Sequence, residues 1–69
     1  MKVSARNCLK GTIKSVTKGP IMAEIVIDIG NGVTVTSVIT AHAAENLGLK
    51  EGKTAYAVMK SSEVMVAVD

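Results

Sequence analysis

Apolar and polar residues alternate along most of this 69-residue chain, with the two-residue period of strands that have one dry and one wet face. The alternation is cleanest from Met22 to Ile29, where Ala23, Ile25, Ile27 and Ile29 interleave with Met22, Glu24, Val26 and Asp28. An earlier strand is predicted from Asn7 to Thr17: Thr12, Ile13, Val16 and Thr17 supply β-branched side chains, and Leu9, Gly11, Ile13 and Ser15 share one face. Gly11 within that run points to a bulge or a sharp bend. Lys18-Gly19-Pro20 breaks the pattern, because proline has no N–H for a ladder and a fixed φ. Gly30-Asn31-Gly32 tolerates the positive φ of a tight hairpin, and a third strand follows from Val33 to Thr40.

Thr40 is placed to cap a short helix over Ala41, His42, Ala43, Ala44, Glu45 and Asn46, its hydroxyl accepting a backbone N–H of the first turn. Gly48 stands where a left-handed residue ends such a helix. The Lys50-Glu51-Gly52 turn leads to a fourth strand from Thr54 to Lys60, and a fifth, Val64 to Val68, follows Ser61-Ser62-Glu63. Three strands, one short helix and two strands is the element order of the oligonucleotide/oligosaccharide-binding (OB) barrel. The expected fold is therefore mainly all-β: a small five-stranded OB-like β-barrel with one short helix between strands 3 and 4. A small β-sandwich is the alternative.

Composition changes this picture by adding a need for partners. One domain fits in 69 residues, and a monomer of that size buries only about 60% of the surface its unfolded chain exposes. Cys8 is the only cysteine and His42 the only histidine, so neither an intrachain disulfide nor a compact cluster of soft metal ligands can staple it. Yet 48% of the residues are hydrophobic and the mean hydropathy is +0.36. That is more than so small a core absorbs, and the excess is expected to cover a subunit interface.

Charge and aromatic content narrow the ligand. Tyr56 is the only aromatic residue, which disfavours the stacking platforms of single-stranded nucleic-acid binders. A net charge of +2, carried by dispersed lysines, is too little for a phosphate-tracking patch and adequate for small anions. Lys2 and Arg6 are not followed by a long apolar segment, so no secretory signal is expected. No run approaches the ~18 apolar residues of a membrane span. A free cysteine fits a reducing cytoplasm.

Candidate chemistry is sparse on the catalytic side. His42 sits among alanines in the predicted helix, without the carboxylate that would orient it as a base, and reads as an exposed helix residue. Cys8 has Arg6 two positions away but reads as a small apolar packing residue. Glu24 and Asp28 lie four apart on one strand face, about 13 Å along the strand, too far to share a proton or a metal. They read as solvated or in cross-strand ion pairs. What remains is a set of donors near the two chain ends: Ser4, Arg6, Asn7 and Lys10, and then Lys60, Ser61 and Ser62. Both sets flank strands, so barrel geometry can join them across a sheet edge or a subunit boundary. Surface serines and lysines near turns also occur in any soluble protein. Joined, these groups would suit a fully deprotonated tetrahedral oxyanion, which offers acceptors and no protons.

The residues that carry this donor pattern also carry a family resemblance. Ser4-Ala5-Arg6-Asn7-Cys8-Leu9-Lys10-Gly11 resembles the S-A-R-N-x-L-x-G opening of the molybdate-binding Mop domain, and Lys60-Ser61-Ser62-Glu63-Val64-Met65 resembles its closing K-[AS]-[ST]-[ED]-V-M segment. Met22-Ala23-Glu24-Ile25-Val26 after its glycine-containing turn, and Leu47-Gly48-Leu49-Lys50-Glu51-Gly52, match as well, so the likeness covers essentially the whole chain. By size it is most similar to the molbindins, which are one such domain, residues 1–69 here. The resemblance implies a cytoplasmic, non-enzymatic protein that binds molybdate, and tungstate too, for storage or homeostasis, with no other cofactor. It also implies a homohexamer, built as a trimer of dimers, with oxyanion sites between subunits and no nucleic-acid or membrane partner.

Carried over to matching positions, the resemblance implies oxyanion contacts from Ser4, Ala5, Arg6 and Asn7 of one chain. Lys60, Ser61 and Ser62 would complete the shell, from a neighbouring chain. It further implies backbone donors, at the same or a second class of site, from the turn Lys18, Gly19, Pro20, Ile21 and Met22 and from the helix entrance Thr40, Ala41 and His42. The competing function is a small OB-like nucleic-acid-binding module, suggested by the strand order and positive charge and opposed by the lack of aromatics.

Overall fold

The alternating segments form β1 (Asn7–Lys18), β2 (Met22–Gly30) and β3 (Val33–Thr40), followed by α1 (Ala41–Asn46), β4 (Thr54–Met59) and a single 3₁₀ turn (Ser61–Glu63). A computed structural model describes the whole chain, residues 1–69. β4 returns to the far side of β1, so the antiparallel sheet runs β3-β2-β1-β4. β1 serves both neighbours in turn: Asn7 to Thr12 pair with β4, and Thr12 to Lys18 with β2, Thr12 facing Thr54 on one side and Asp28 on the other. The sheet curls enough that side chains of its two edge strands line common concavities, among them Ser37 of β3 and Tyr56 of β4.

Inside the curl lies a core of six buried residues, Ile13, Ala23, Ile25, Ile27, Ala44 and Ala57. The period-two reading of β2 holds, since Ala23, Ile25 and Ile27 face inward while Glu24 and Asp28 are exposed. The reading of β1 is corrected in two respects. Its bulge falls between Ile13 and Ser15, not at Gly11, and the extra residue shifts the face so that Val16, rather than Ser15, packs on the core. Gly11 instead permits a close approach of strands: a Cβ there would stand 2.5 Å from the carbonyl oxygen of Asp28 and 2.8 Å from Cγ2 of Ile27.

Helix α1 closes one end of the curl with Ala44, which is fully buried. Thr40 Oγ1 accepts from the Ala43 amide at 3.0 Å, and Gly48, at φ +63°, reverses the chain after the helix. The ammonium of Lys53 then donates to the carbonyls of Leu47 and Gly48 at 2.8 and 3.2 Å. Asp28 neither pairs with a cation nor stands free: its Oδ1 accepts from the Gly30 amide at 2.8 Å and braces the Gly30-Asn31-Gly32 hairpin.

The expected fifth strand does not form within the chain, and β4 ends at Met59 rather than Lys60. The outer edges of β3 and β4 are left unpaired, but residues 64–68 join neither of them. Glu63 N–H bonds to Lys60 C=O at 2.9 Å and Val64 N–H to Ser61 C=O at 3.4 Å, so the 3₁₀ turn redirects the chain before residue 64. Met65, Val66 and Val68 beyond it are 94, 89 and 92% exposed. The single chain is thus a four-stranded curled sheet with its seam open between β3 and β4. Its accessible surface of 5415 Å² exceeds by roughly 1,300 Å² that of a compact monomer of this mass.

Gly11→Ala is expected to destabilise the fold by about 1–3 kcal/mol, because the added methyl meets backbone and not a flexible side chain. Thermal unfolding followed by circular dichroism checks this; an unchanged Tm would contradict the close-approach role.

Candidate functional site

The register that pairs β1 with β4 decides where the two donor segments go. Asn7 lies opposite Met59, the last paired couple at that end, so the residues just before β1 and just after β4 leave the sheet side by side. Ser4, Ala5, Arg6, Lys60, Ser61 and Ser62 consequently line one open concavity of about 660 Å³, together with Val58. The 3₁₀ turn matters here, since it folds Ser61 and Ser62 back beside Lys60 instead of letting the strand run on. Segments more than fifty positions apart in sequence become one surface.

Its electrostatics are one-sided. Arg6 and Lys60 bring two positive charges, the three serines bring hydroxyls, and no carboxylate lines the concavity. The side-chain hydrogen bonds inside the chain are made by Asp28, Thr40 and Lys53, so none engages Arg6, Lys60 or these serines. Each donor is exposed and free to turn toward a ligand. Such a surface attracts an anion and has nothing to neutralise a cation.

Asn7 is half-buried at the start of β1 and does not line the concavity. Val58 does, although reading the sequence for polar donors passes over it. The strand period held the signal: Val58 stands two residues before Lys60, and residues two apart share a face.

The second set of expected donors also comes together, at the other end of the molecule. Met22 pairs with Thr40, and the Ala41 amide donates to the Ile21 carbonyl at 2.7 Å, which joins the turn Lys18, Gly19, Pro20, Ile21 and Met22 to the helix entrance Thr40, Ala41 and His42. Here, however, part of the donor set is engaged inside the chain, the Ala41 amide among it. Gly19 N–H is bonded to Met22 C=O at 2.7 Å and Ala43 N–H to the Thr40 hydroxyl, and these residues line none of the chain's concavities.

Cys8 corrects its reading as a packing residue: it is exposed, opposite Val58 on the edge strand. His42 is exposed on α1, away from the donor concavity.

The geometry agrees with what this chain is similar to. A family model described as the TOBE domain matches residues 3–66. Molybdenum-pterin-binding protein 3 of Clostridium pasteurianum is 48% identical over 66 residues, covering 96% of this chain and 97% of that protein. Among solved structures, MopII from Clostridium pasteurianum superposes with a TM-score of 0.92 at 43% identity, over 97% of this chain and 100% of that one. A molybdate-binding protein from Sporomusa ovata follows, with a TM-score of 0.90 at 37% identity, over 99% and 100% of the two chains. On the match along nearly its whole length, and on the two donor segments that the fold unites, the chain belongs to the TOBE-domain family and is similar to its small Mop-type members.

Proposed function

We propose that the chain binds molybdate, and tungstate with it, at a site built from Ser4, Ala5, Arg6, Lys60, Ser61 and Ser62, as a storage or homeostasis protein of the cytoplasm that catalyses no reaction. The observation that carries this reading is the single concavity in which Arg6, Lys60 and three serines meet without a carboxylate. Charge-assisted hydrogen bonds to a dianion contribute about 1.5–3 kcal/mol each. Molybdate is fully ionised at neutral pH and accepts at all four oxygens, so every donor finds a lone pair. Phosphate still carries a proton there and asks for an acceptor.

Competing ligands fit the surface less well. A pterin, which the names of some relatives suggest, presents a flat ring that calls for an aromatic face, and no aromatic side chain lines the concavity. Nucleic acid makes the same demand for stacking and needs a longer basic track. Tyr56, the only aromatic residue, lies on the apolar seam between the edge strands.

Self-association completes the reading. Val64, Met65, Val66 and Val68 are exposed, and the seam beside β3 and β4 is lined by Ile25, Ile27, Ile39, Leu49 and Tyr56. In the oligomer, a hexamer built as a trimer of dimers, residues 64–68 of a second copy form the fifth strand in that seam. The surplus of roughly 1,300 Å² exceeds the ~800 Å² that each partner of a standard stable interface contributes. Because residues 60–62 lead directly into the segment held by the partner, assembly also steadies half of the donor shell. No helix of the chain is long and apolar enough to cross a membrane, and an exposed free thiol suits a reducing compartment.

Arg6→Ala and Lys60→Ala are each expected to weaken molybdate binding roughly 10- to 150-fold, the equivalent of one charge-assisted hydrogen bond, with the assembly intact. Titration calorimetry decides; unchanged affinity in both variants would remove the site assignment. A chain ending at Glu63 keeps every donor and all six core residues and is expected to run as a monomer in sedimentation, where the full chain is an oligomer. A full chain that is itself monomeric would refute the assembly. Added molybdate should raise the Tm of the full chain, by an amount that grows with ligand concentration above Kd.

A further inference from the structure

Val58 is the one side chain that lines all three concavities of the chain. Two of them, of about 420 and 290 Å³, lie along the apolar seam between β3 and β4 and share several residues with each other. The donor concavity shares only Val58 with them. Within that donor concavity the apolar lining is Ala5 and Val58, and Val58, 46% exposed, is the larger and is open to contact.

Its position has a consequence for selectivity. Molybdate, tungstate and sulfate present the same tetrahedron of acceptors with the same charge, so hydrogen bonds from mobile donors distinguish them weakly. They differ in bond length, which only a wall that does not yield can measure. Lys60, Arg6 and the serines sit outside the sheet, and their exposed side chains are free to rotate. Val58 is held by the β1–β4 ladder opposite Cys8, and a β-branched side chain is stiff at χ1. Its methyls also keep water off one side of the bound anion, which strengthens the remaining hydrogen bonds.

We propose that Val58 is a specificity-determining residue of the oxyanion site: its methyl groups are the rigid wall against which Arg6, Lys60 and the serines seat the anion, and they set the size that reaches all donors together. This rests on the oxyanion-binding reading above. Because Val58 also borders the seam, whatever packs there supports the wall from behind.

The test is calorimetry of the full chain with molybdate, tungstate and sulfate in three forms: wild type, Val58→Ile and Val58→Thr. Val58→Ile adds one methyl group to the wall and is expected to lower the ratio of molybdate to sulfate affinity by about tenfold, the discrimination one such group confers in a pocket. Val58→Thr keeps the size and branching while changing the polarity, and should leave the ratio as in wild type. Val58→Leu, which enlarges the same wall, takes the place of Val58→Ile should circular dichroism find that variant unfolded. A ratio unmoved by the larger side chain, or moved equally by threonine, overturns the inference alone. A wild-type chain that binds none of the three anions overturns the binding reading and this inference with it.

Discussion

β1 has to pair on both sides along its twelve residues, and the rest of the molecule follows from that demand. Its first half is committed to β4 and its second to β2, with Thr12 shared, so the sheet is obliged to curl around it. A curl that tight brings β2 over β1 closer than a side chain permits, and Gly11 supplies the missing volume. The bulge after Ile13 restores the inward face for Val16 once the direction has changed. The same pairing, read toward the chain ends, sets Asn7 against Met59 and delivers the donors of both ends to one place.

The donor surface is inexpensive to keep. Arg6, Lys60 and the serines are exposed, so water solvates them in the free chain and their mutual repulsion is screened. Nothing inside the chain competes for them. A site of this kind differs from one with buried charges, where folding itself would depend on the ligand. Its strength comes from several donors converging on one acceptor-rich partner, and from whatever surface excludes water around that partner.

The core is the complementary half of the economy. Six buried residues, three of them isoleucines and three alanines, are little for a domain to stand on, since each buried isoleucine contributes only about 1.5–3 kcal/mol. The apolar side chains that the chain does own in surplus lie along the open seam and on residues 64–68. In the proposed oligomer the second set of one copy covers the first of another, which joins stability to the site, because residues 64–68 follow directly on the donor segment.

Much of this was legible along the chain, where the interactions involved are local. Alternation placed β1 to β4 within one residue at each end, Thr40 and Gly48 marked the ends of α1, and Gly30-Asn31-Gly32 marked the hairpin, since backbone φ preferences and capping act over a few positions. The donor residues were legible as types, and Ser4, Arg6, Lys60 and Ser61 were named from the chain ends alone. What alternation could not convey is which strand lies beside which. That Gly11 relieves a contact with Asp28 and that Lys14 carries the bulge depend on the β1–β2 register, whereas the 3₁₀ turn keeps the fifth segment off the open edges of its own chain and the β1–β4 register sets Val58 between the donors and the seam. Register is a non-local pairing, and its consequences exist only once the paired strands have met.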